Sequence, residues 1–560
     1  MRRFTWLPLW CAAALVALVP LGLRAQVTTQ RLAAAASEPQ NWFMYSGNYF
    51  STRYSPLNQI TPANVKDLKL QWVYQAPVAG TWQTTPLVVD GVMYVTQRLN
   101  DVVALDAATG RAFWVYRYTP APNRIVCCGA NNRGVAILGN TLFMGTLDAK
   151  LVAIDTKSGR PIWQTEVAKT TEGYSITHAP LVVKDKVIVG VGGGEYGIRG
   201  FIAAYDAATG KEAWRFYTVP APGEPGSDTW EKCAPDPKSY CDPDAWKHGG
   251  GSIWMTGSYD PRLNLTYWGT GNVGPDYNGA QRPGDNLYTD SVVALDADTG
   301  RLRWHYQFTP HDVYDYDSVQ VPVLADNWAN TGINVLMWAN RNGNFYVLDR
   351  ATGRFLLGHP FVKVNWMSGF DERGRPMQTP QPDGQPTYPG NQGGTNWYSP
   401  SFSPRTGLFY IPAWEDYASI YAPAPSVYRE GSNFVGGGPK NYGPVPGAPG
   451  LVRGAPINNW TETAGRGAVI ALDIRTGDQK WKFQMTDVTD SGILTTASDL
   501  LFTGGREGYF QALDARSGAL LWKVNLGANI NGSPMSYRVG NKQYVAIAAG
   551  LSLTVFAVDQ

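Results

Sequence analysis

The sequence predicts an all-β fold, an eight-bladed β-propeller built from four-stranded W-motif blades. Two observations carry this prediction: one short motif recurs seven times along the chain, and the two ends of the chain hold complementary halves of an eighth copy. The composition agrees, because 21 Trp, 30 Tyr, 61 Gly and 39 Pro are typical of a turn-rich β protein rather than a helical one.

Each copy of the motif is predicted to form a β-hairpin. A short apolar strand leads into an Asp-x-x-[Thr/Ser]-Gly turn, where the Asp can accept amide hydrogen bonds and the Gly supplies a positive φ, and a second strand follows. The seven copies are VVALDAATGRAFW (102–114), LVAIDTKSGRPIW (151–163), IAAYDAATGKEAW (202–214), VVALDADTGRLRW (292–304), FYVLDRATGRFLL (345–357), VIALDIRTGDQKW (469–481) and FQALDARSGALLW (510–522). Further strand-like segments between them, such as TTPLVVDGVMYVT (84–96), complete the blades.

The two chain ends are predicted to close the ring. The C-terminal TVFAVDQ stops at the first half of the motif, and LKLQW (68–72) resembles the missing second half. Their pairing would remove two exposed sheet edges. We expect one propeller domain over residues 26–560. The Pro- and Gly-rich stretches 219–250, 271–289, 366–396 and 415–465 are expected to be insertion loops rather than a second domain, because none has its own hydrophobic periodicity.

Residues 1–25 are interpreted as a cleavable signal peptide. Arg2 and Arg3 precede an apolar run from Trp6 to Leu23, and Ala25 provides a small residue at the cleavage point. A membrane anchor is the alternative, which the shortness of the run disfavours, and no later run is long enough to span a bilayer. The net charge of +2, with 16% charged residues, gives no basic footprint for nucleic acid. An exported soluble protein is expected.

The cysteines predict two disulfide bonds. Cys127 and Cys128 are adjacent, and because neighbouring Cα atoms lie only about 3.8 Å apart, a bridge between them forms a strained ring. Two buried thiols are the alternative, and an oxidising compartment favours the bridge. Cys233 and Cys241 share one Pro-rich loop and are expected to form an ordinary structural disulfide. No Cys-x-x-Cys-His occurs, so covalent haem is not expected.

Several linked motifs make this sequence resemble the quinoprotein methanol and ethanol dehydrogenases, which use pyrroloquinoline quinone (PQQ). The motifs are CCGANNRG (127–134), ITHAPLVV (176–183), VGGGEYGIRG (191–200), GGGSIWMTGSYDPRLNLTYWGTGN (249–272), TPHDVYDYDSVQVPVL (309–324), NRNGNFYVLDRATG (340–353) and GGTNWYSPSFSPRTGLFY (393–410). The resemblance implies a periplasmic enzyme that oxidises a primary alcohol to an aldehyde by hydride transfer to metal-bound PQQ. It also implies that a separate soluble cytochrome c accepts the electrons.

The resemblance also implies a metal site. Glu195, Asn272 and Asp315 match the family's metal ligands, and all are hard oxygen donors that suit Ca²⁺. Asp317 matches the acidic residue that members using a lanthanide carry. Three carboxylates suit a trivalent ion, so a lanthanide(III) is favoured and Ca²⁺ is kept as the alternative.

The same resemblance implies roles around the cofactor. Trp254 would stack on one face of PQQ and the Cys127–Cys128 ring would cover the other. Further residues expected around PQQ are Arg133, Thr177, Gly193, Gly194, Ser252, Arg341, Asn396 and Trp397. For catalysis, Asp315 would take the alcohol proton, the metal would act as a Lewis acid, and Arg341 would steady the developing oxyanion.

Some positions depart from the family pattern and keep alternatives open. Gln83 stands where methanol dehydrogenases tend to have Glu, Gly192 replaces a hydroxyl residue, and AAGLSLTVF (548–556) lacks a Trp-containing loop. These departures weaken methanol as the substrate. A quinoprotein sugar or polyol dehydrogenase is one alternative. A non-catalytic propeller scaffold of the cell envelope is another, although such a scaffold would lack the vicinal cysteines and the ligand set. A homodimer is one possibility for the assembly.

Overall fold

The computed structural model describes residues 26–559 except 79, 81, 232–240 and 443–465. The predicted signal peptide and Cys233 therefore lie outside the described residues. Eight blades of four antiparallel strands form the propeller, which confirms the predicted fold class, and the short strand Tyr54–Ser55 adds a fifth, parallel strand to one of them. None of the described helices is long and apolar enough to cross a membrane.

The N-terminal half contains four complete blades. Before them come α1 (Thr29–Ala33), β1 (Tyr54–Ser55) and β2 (Leu68–Gln75). Blade 1 is β3 (Leu87–Val89), β4 (Val92–Thr96), β5 (Val102–Asp106) and β6 (Ala112–Tyr116). Blade 2 is β7 (Ala136–Leu138), β8 (Thr141–Gly145), β9 (Lys150–Asp155) and β10 (Pro161–Glu166). Blade 3 is β11 (Leu181–Val183), β12 (Lys186–Gly190), β13 (Phe201–Asp206) and β14 (Glu212–Tyr217). Blade 4 is β15 (Ser258–Asp260), β16 (Leu265–Gly269), β17 (Ser291–Asp296) and β18 (Leu302–Gln307).

The C-terminal half completes the ring and adds two small hairpins. Blade 5 is β19 (Val323–Trp328), β20 (Ile333–Ala339), β21 (Asn344–Asp349) and β22 (Phe355–Pro360). The hairpin β23 (Met367–Phe370) and β24 (Pro376–Gln378) follows. Blade 6 is β25 (Ser401–Ser403), β26 (Leu408–Glu415), β29 (Arg466–Asp473) and β30 (Gln479–Gln484), interrupted by the hairpin β27 (Ala418–Pro423) and β28 (Gly437–Tyr442). Blade 7 is β31 (Leu494–Thr496), β32 (Leu500–Thr503), β33 (Tyr509–Asp514) and β34 (Leu520–Asn525), and blade 8 begins with β35 (Met535–Val539), β36 (Lys542–Ala549) and β37 (Ser552–Val558).

The chain ends close the propeller as predicted. Strand β2 is the fourth strand of blade 8 and pairs antiparallel with β37, with Leu68 opposite Val558 and Gln75 opposite Ser552. The edge of β37 is therefore paired rather than exposed.

Adjacent blades are joined by contacts between a motif Trp and the motif Gly of the next blade. In blade 4, Trp304 donates its Nε1 proton to the carbonyl oxygen of Arg350 in blade 5 at 3.2 Å. Its ring also covers Gly353, where a Cβ would lie 2.5 Å from a ring carbon. Equivalent Trp–Gly contacts join Trp72 to Gly110, Trp114 to Gly159, Trp163 to Gly210, Trp214 to Gly300 and Trp481 to Gly518. Glycine is required at these positions because the neighbouring indole occupies the space of a side chain.

Blade 5 makes the indole hydrogen bond to the next blade with a different residue, while His359 covers Gly477. Its motif ends in Leu357 instead of Trp, and the indole comes from Trp328 at the end of β19. Trp328 Nε1 donates to the carbonyl oxygen of Ile474 in blade 6 at 2.6 Å, which is the hydrogen bond that a motif Trp would make.

The N-terminal segment fills one end of the propeller axis. Backbone carbonyls of residues 49–55 accept hydrogen bonds from the first, innermost strands of blades 4, 5 and 6 and from β31 of blade 7. Arg53 is fully buried there and donates to the carbonyl oxygens of Tyr45 and Pro534 at 2.8 Å and 2.7 Å.

The motif turns lie on the same face as this N-terminal segment, and we call it the turn face. The connections between blades, and between the second and third strands of each blade, lie on the opposite face, which we call the site face.

Candidate functional site

A cavity of about 240 Å³ opens on the site face. Its walls come from the connections of blades 1 to 6, which meet only near the axis. They are formed by Cys127, Cys128, Gly129, Asn131, Arg133, Ser175, Thr177, Gly192, Gly193, Glu195, Trp254, Asp315, Asp317, Arg341, Asn391, Gln392 and Asn396. Eleven residues that the sequence predicts as site residues are among them. The cavity is also lined by residues that were not predicted from the sequence, namely Gly129, Asn131, Ser175, Asn391 and Gln392.

A larger cavity, of about 950 Å³, lies on the turn face. It runs between the N-terminal segment and the turns of blades 4 to 6, and most of its lining side chains are apolar. It contains none of the predicted site residues. Only the smaller cavity brings several buried charged groups together, and it is therefore the better candidate for the functional site.

Cys127 and Cys128 form the predicted disulfide at the edge of the cavity. The Cys127 sulfur lies 3.1 Å from Glu195 Oε1. Although these three residues are close enough to hold an ion, a disulfide-bonded sulfur has no thiolate to offer, so Glu195 is the one metal donor of this group. Cys241 is also disulfide-bonded, and its predicted partner Cys233 lies outside the described residues.

Arg341 holds the two acidic residues of the loop between blades 4 and 5. Its Nη1 donates to Asp317 Oδ2 at 2.5 Å and its Nη2 donates to Asp315 Oδ2 at 3.1 Å. Its Nε donates to the carbonyl oxygen of Asn391 at 2.6 Å. The guanidinium is almost completely buried, so it fixes both carboxylates relative to blade 6.

The carboxylates of this cavity repel one another. Burial raises the pKa of Asp315 well above its ordinary value; Asp317 and Glu195 add to the rise, and Arg341 opposes it. Within the described part of the chain, the carboxylate oxygens of Glu195, Asp315 and Asp317 do not all come within 4.8 Å of one another. A cation among them would relieve this repulsion.

Asn272 carries the clearest mark of an incomplete site. Its backbone N–H donates to Asp317 Oδ1 at 2.9 Å, while its buried Nδ2 has no hydrogen-bond partner among the described residues. The oxygen and nitrogen of a carboxamide can be exchanged by a flip, so the partnerless end of Asn272 is the end available to a ligand. Asn272 does not line the open cavity. It packs with Gly194 and Ser252, since a Cβ added to Gly194 would lie 3.2 Å from Asn272 Oδ1 and 3.3 Å from Ser252 Oγ.

Arg133 is held between two predicted indoles. Its guanidinium carbon lies 5.3 Å from the centre of the Trp254 ring and 4.9 Å from that of Trp397. Its Nη1 donates to Thr177 Oγ1 at 3.0 Å. Trp397 therefore supports Arg133 from outside the cavity, and its backbone N–H donates to Asn396 Oδ1 at 2.8 Å. The arrangement gives a flat, cationic wall suited to a planar anionic ligand.

A buried network behind the cavity positions the acidic loop. Asp312 accepts the backbone N–H groups of Tyr314 and Tyr316 at 3.0 Å and 2.9 Å, which clamps the turn on either side of Asp315. Arg282 donates to the carbonyl oxygen of Asp312 at 2.5 Å. Asp315 itself has a φ of 61°, a conformation that few non-glycine residues adopt without such support.

Tyr277 contacts Asp315 and was not identified from the sequence. Its hydroxyl donates to Asp315 Oδ2 at 3.2 Å, and its backbone N–H donates to the carbonyl oxygen of Val435 at 2.9 Å. Tyr277 lies five residues beyond Asn272 in a Gly- and Pro-rich loop, where no local pattern marks it. Its proximity in sequence to Asn272, a predicted metal ligand, was the one available signal.

Comparison with known proteins identifies the family. A family model described as the β-propeller domain of PQQ-dependent glucose, ethanol and alcohol dehydrogenases matches residues 42–378 and 485–545. The chain belongs to the PQQ-dependent alcohol dehydrogenases. Family membership makes PQQ its cofactor and removes the non-catalytic scaffold from consideration.

Individual members of this family are similar along most of the chain. A quinohemoprotein alcohol dehydrogenase of Pseudomonas putida is 39% identical over 94% of this chain and 76% of its own length. A lanthanide-dependent methanol dehydrogenase of Methylacidiphilum fumariolicum is 36% identical over 92% of this chain and 85% of its own. The solved structure of a europium-containing methanol dehydrogenase superposes with a TM-score of 0.86 at 33% identity, covering 94% of this PQQ-dependent dehydrogenase and all of that chain.

Proposed function

We propose that this PQQ-dependent dehydrogenase oxidises a primary alcohol to an aldehyde in the periplasm and passes the electrons to a separate soluble cytochrome c. The observation that carries the proposal is the axial cavity, whose wall contains Glu195 and the Arg341–Asp315–Asp317 cluster. The Asn272 side chain packs behind this wall against Gly194, and its Nδ2 has no hydrogen-bond partner among the described residues. We further propose that residues 1–25 are removed on export and that residues 26–560 work as one propeller domain.

In this proposal the cavity holds PQQ and one metal ion. Glu195, Asn272, Asp315 and Asp317 would hold the ion, since carboxylate and amide oxygens are the ligands that Ca²⁺ and lanthanides prefer. PQQ would lie between Trp254 and the Cys127–Cys128 disulfide, with Arg133 and Arg341 beside its anionic groups. Of the other predicted cofactor residues, Thr177, Gly193 and Asn396 line the cavity and would contact PQQ, whereas Gly194, Ser252 and Trp397 would support the wall from behind.

The protein's own part in the reaction is to position the alcohol and to accept its proton. Bound PQQ and its ion supply the two-electron acceptor and the Lewis acid. Asp315 would take the hydroxyl proton on Oδ1, because its Oδ2 is occupied by Arg341 and Tyr277. Arg341 would stabilise negative charge that develops at the reacting oxygen, and its burial makes that interaction stronger than it would be in water.

Asp317 favours a lanthanide(III) over Ca²⁺ as the ion. With Glu195 and Asp315 it supplies three carboxylates, which would balance a trivalent ion. Two comparisons agree with this choice, since one relative is named as a lanthanide-dependent methanol dehydrogenase and one similar solved structure is of a europium-containing methanol dehydrogenase. Ca²⁺ remains the alternative, and in that case Asp317 would serve only to hold Arg341, Trp254 and the Asn272 backbone in place.

The experiment is reconstitution of the purified apo-protein with PQQ and either La³⁺ or Ca²⁺, followed by a dye-linked assay of alcohol oxidation. We expect activity with La³⁺, and we expect Asp317→Ala to lose La³⁺-supported activity. Activity with Ca²⁺ alone would keep the enzyme and remove the metal role of Asp317. Folded protein that binds PQQ but oxidises no alcohol with either ion would refute the proposed function.

The proposed electron acceptor can be tested separately. The 560 residues contain no Cys-x-x-Cys-His haem motif, so electrons in this proposal leave the chain for another protein. Purified enzyme and ethanol should reduce a periplasmic cytochrome c fraction from the same cells, and the Asp315→Asn variant should not. Reduction at equal rates by both proteins would contradict the electron route.

A further inference from the structure

The described side chains that line the axial cavity are mostly polar. Among the described residues that line it, none is Leu, Ile, Val, Met, Phe or Tyr. Trp254 and the Cys127–Cys128 disulfide provide its apolar surface, and both are assigned to the faces of PQQ in the proposed function. Ligand pockets are usually lined mainly by hydrophobic groups, so this composition is unusual. The rest of the described wall consists of polar side chains and glycines.

Two carboxamides stand next to the proposed catalytic pair. Arg341 connects Asp315 to this segment. Its Nη2 donates to Asp315, and its Nε donates to the backbone carbonyl oxygen of Asn391 at 2.6 Å. Gln392 follows directly in the chain and also lines the cavity. Both residues therefore belong to the part of the cavity wall that Arg341 joins to Asp315.

The two carboxamides differ in what they can still bind. Asn391 is fixed from several sides: its Oδ1 accepts from the Tyr417 hydroxyl at 3.1 Å, and its backbone N–H donates to Ser419 Oγ at 3.0 Å. Gln392 is half-buried, and its backbone carbonyl accepts from Asn396 Nδ2 at 3.1 Å. Its side-chain carboxamide has no hydrogen bond to the described part of the chain. One acceptor and two donors of Gln392 are thus available to a ligand.

We propose that Gln392 recognises a second hydroxyl group on the substrate, so that small vicinal diols and polyols are preferred over alkanols and aromatic alcohols. This inference rests on the proposed alcohol dehydrogenase function and specifies its substrate class. A substrate hydroxyl can both donate to and accept from a carboxamide. An alkyl group of the same size would remove water from Gln392 and leave it without a partner, which a polar site discriminates against strongly.

The sharpest test uses two substrates that differ by a single group. Propane-1,2-diol and 2-methylpropan-1-ol have the same shape around the reacting carbon, and one carries a hydroxyl where the other carries a methyl. With holoenzyme loaded with PQQ and La³⁺, we expect kcat/KM for the diol to exceed that for 2-methylpropan-1-ol by about tenfold or more, mainly through KM. Wild-type enzyme that prefers 2-methylpropan-1-ol would overturn the inference.

Variants assign the preference to one residue. Gln392→Leu should reduce the diol-to-alkanol ratio to about one, and Gln392→Asn, which keeps the carboxamide, should retain a preference. Gln385→Leu is the matched control, because Gln385 is exposed in the same loop and does not line the cavity. An unchanged ratio in Gln392→Leu would overturn the inference.

Two further outcomes separate this inference from other roles. PQQ affinity, measured by quenching of tryptophan fluorescence, should be the same in Gln392→Leu and wild type. A loss of PQQ affinity with an unchanged substrate ratio would assign Gln392 to the cofactor and overturn the inference. If the loaded, folded enzyme oxidises neither alcohol, the proposed function itself fails, whereas equal rates on the two alcohols would remove only the role of Gln392.

Discussion

The turn face and the site face of this propeller are built from the same strands but obey different rules. On the turn face, one Asp-x-x-[Thr/Ser]-Gly hairpin is repeated, and six indoles meet the motif glycine of the next blade. On the site face, each connection has its own length and sequence, and the buried charges Arg341, Asp315 and Asp317 meet at the axis. Repetition therefore fixes the positions of the strands, while the unrepeated connections are free to carry chemistry.

The largest expected effect is on the site face. Asp315→Asn keeps the size of the side chain and its place in the loop, but an amide cannot take the alcohol proton. We expect kcat to fall by about 10³-fold or more, within the range of a lost general base, and the melting temperature to change little. Steady-state kinetics of the loaded enzyme measure this, and activity within tenfold of wild type would rule out Asp315 as the base.

A substitution on the turn face should lower stability without lowering activity. Gly353→Ala forces a side chain onto the Trp304 ring at a φ of 75°, so we expect a loss of about 2–4 kcal/mol of stability with kcat unchanged. Gly407→Ala is the control, since its φ is also positive, at 68°, but nothing lies within 4 Å of the added Cβ. Thermal unfolding of both variants measures the difference. Equal losses would mean that backbone strain, and not the indole contact, requires glycine.

The site face also carries a partly buried carboxyl group away from the cavity, that of Glu507 between β32 and β33 of blade 7. Burial, with a contribution from Asp487, raises the pKa of Glu507 to about 7. Between pH 4.5 and about 7 the folded state keeps a proton that the unfolded state has lost, so stability falls as pH rises through this window. Glu507→Gln should therefore be more stable than wild type by about 1–3 kcal/mol at pH 8 and equal to it at pH 4.5. A difference that is the same at both pH values would point to packing rather than charge.

The smallest expected effect comes from the Tyr277 hydroxyl, which donates a hydrogen bond to Asp315. Tyr277→Phe removes one of two donors to Asp315 Oδ2, and we expect kcat to fall by about tenfold with KM nearly unchanged. Tyr421→Phe is the control, because its hydroxyl donates to the carbonyl oxygen of Tyr314 at 3.1 Å rather than to a carboxylate. Equal effects of the two variants would show that Tyr277 only fills space.

The two faces also differ in how far the sequence predicts them. Local turn chemistry repeats on the turn face, so all seven hairpins and the pairing of β2 with β37 could be predicted. The role of Trp328 in place of the missing motif Trp of blade 5 could not be predicted. That indole comes from another strand and reaches its acceptor only in the folded blade.

On the site face, motif positions predicted Glu195, Asp315 and Arg341, which the fold brings to one cavity. Tyr277 was missed because it reaches Asp315 through a contact between two separate loops, and Gln392 was missed because only the folded cavity shows which residues of its loop line the wall. No spacing within one segment encodes such a contact, and only the assembled axis shows it.

The position of the bound metal ion tests the proposed site most directly. Anomalous scattering from crystals loaded with PQQ and La³⁺ should show one strong peak on the axis of the site face, between Glu195, Asn272, Asp315 and Asp317. PQQ bound in the cavity with the ion elsewhere, or with no ion near these four residues, would contradict the account.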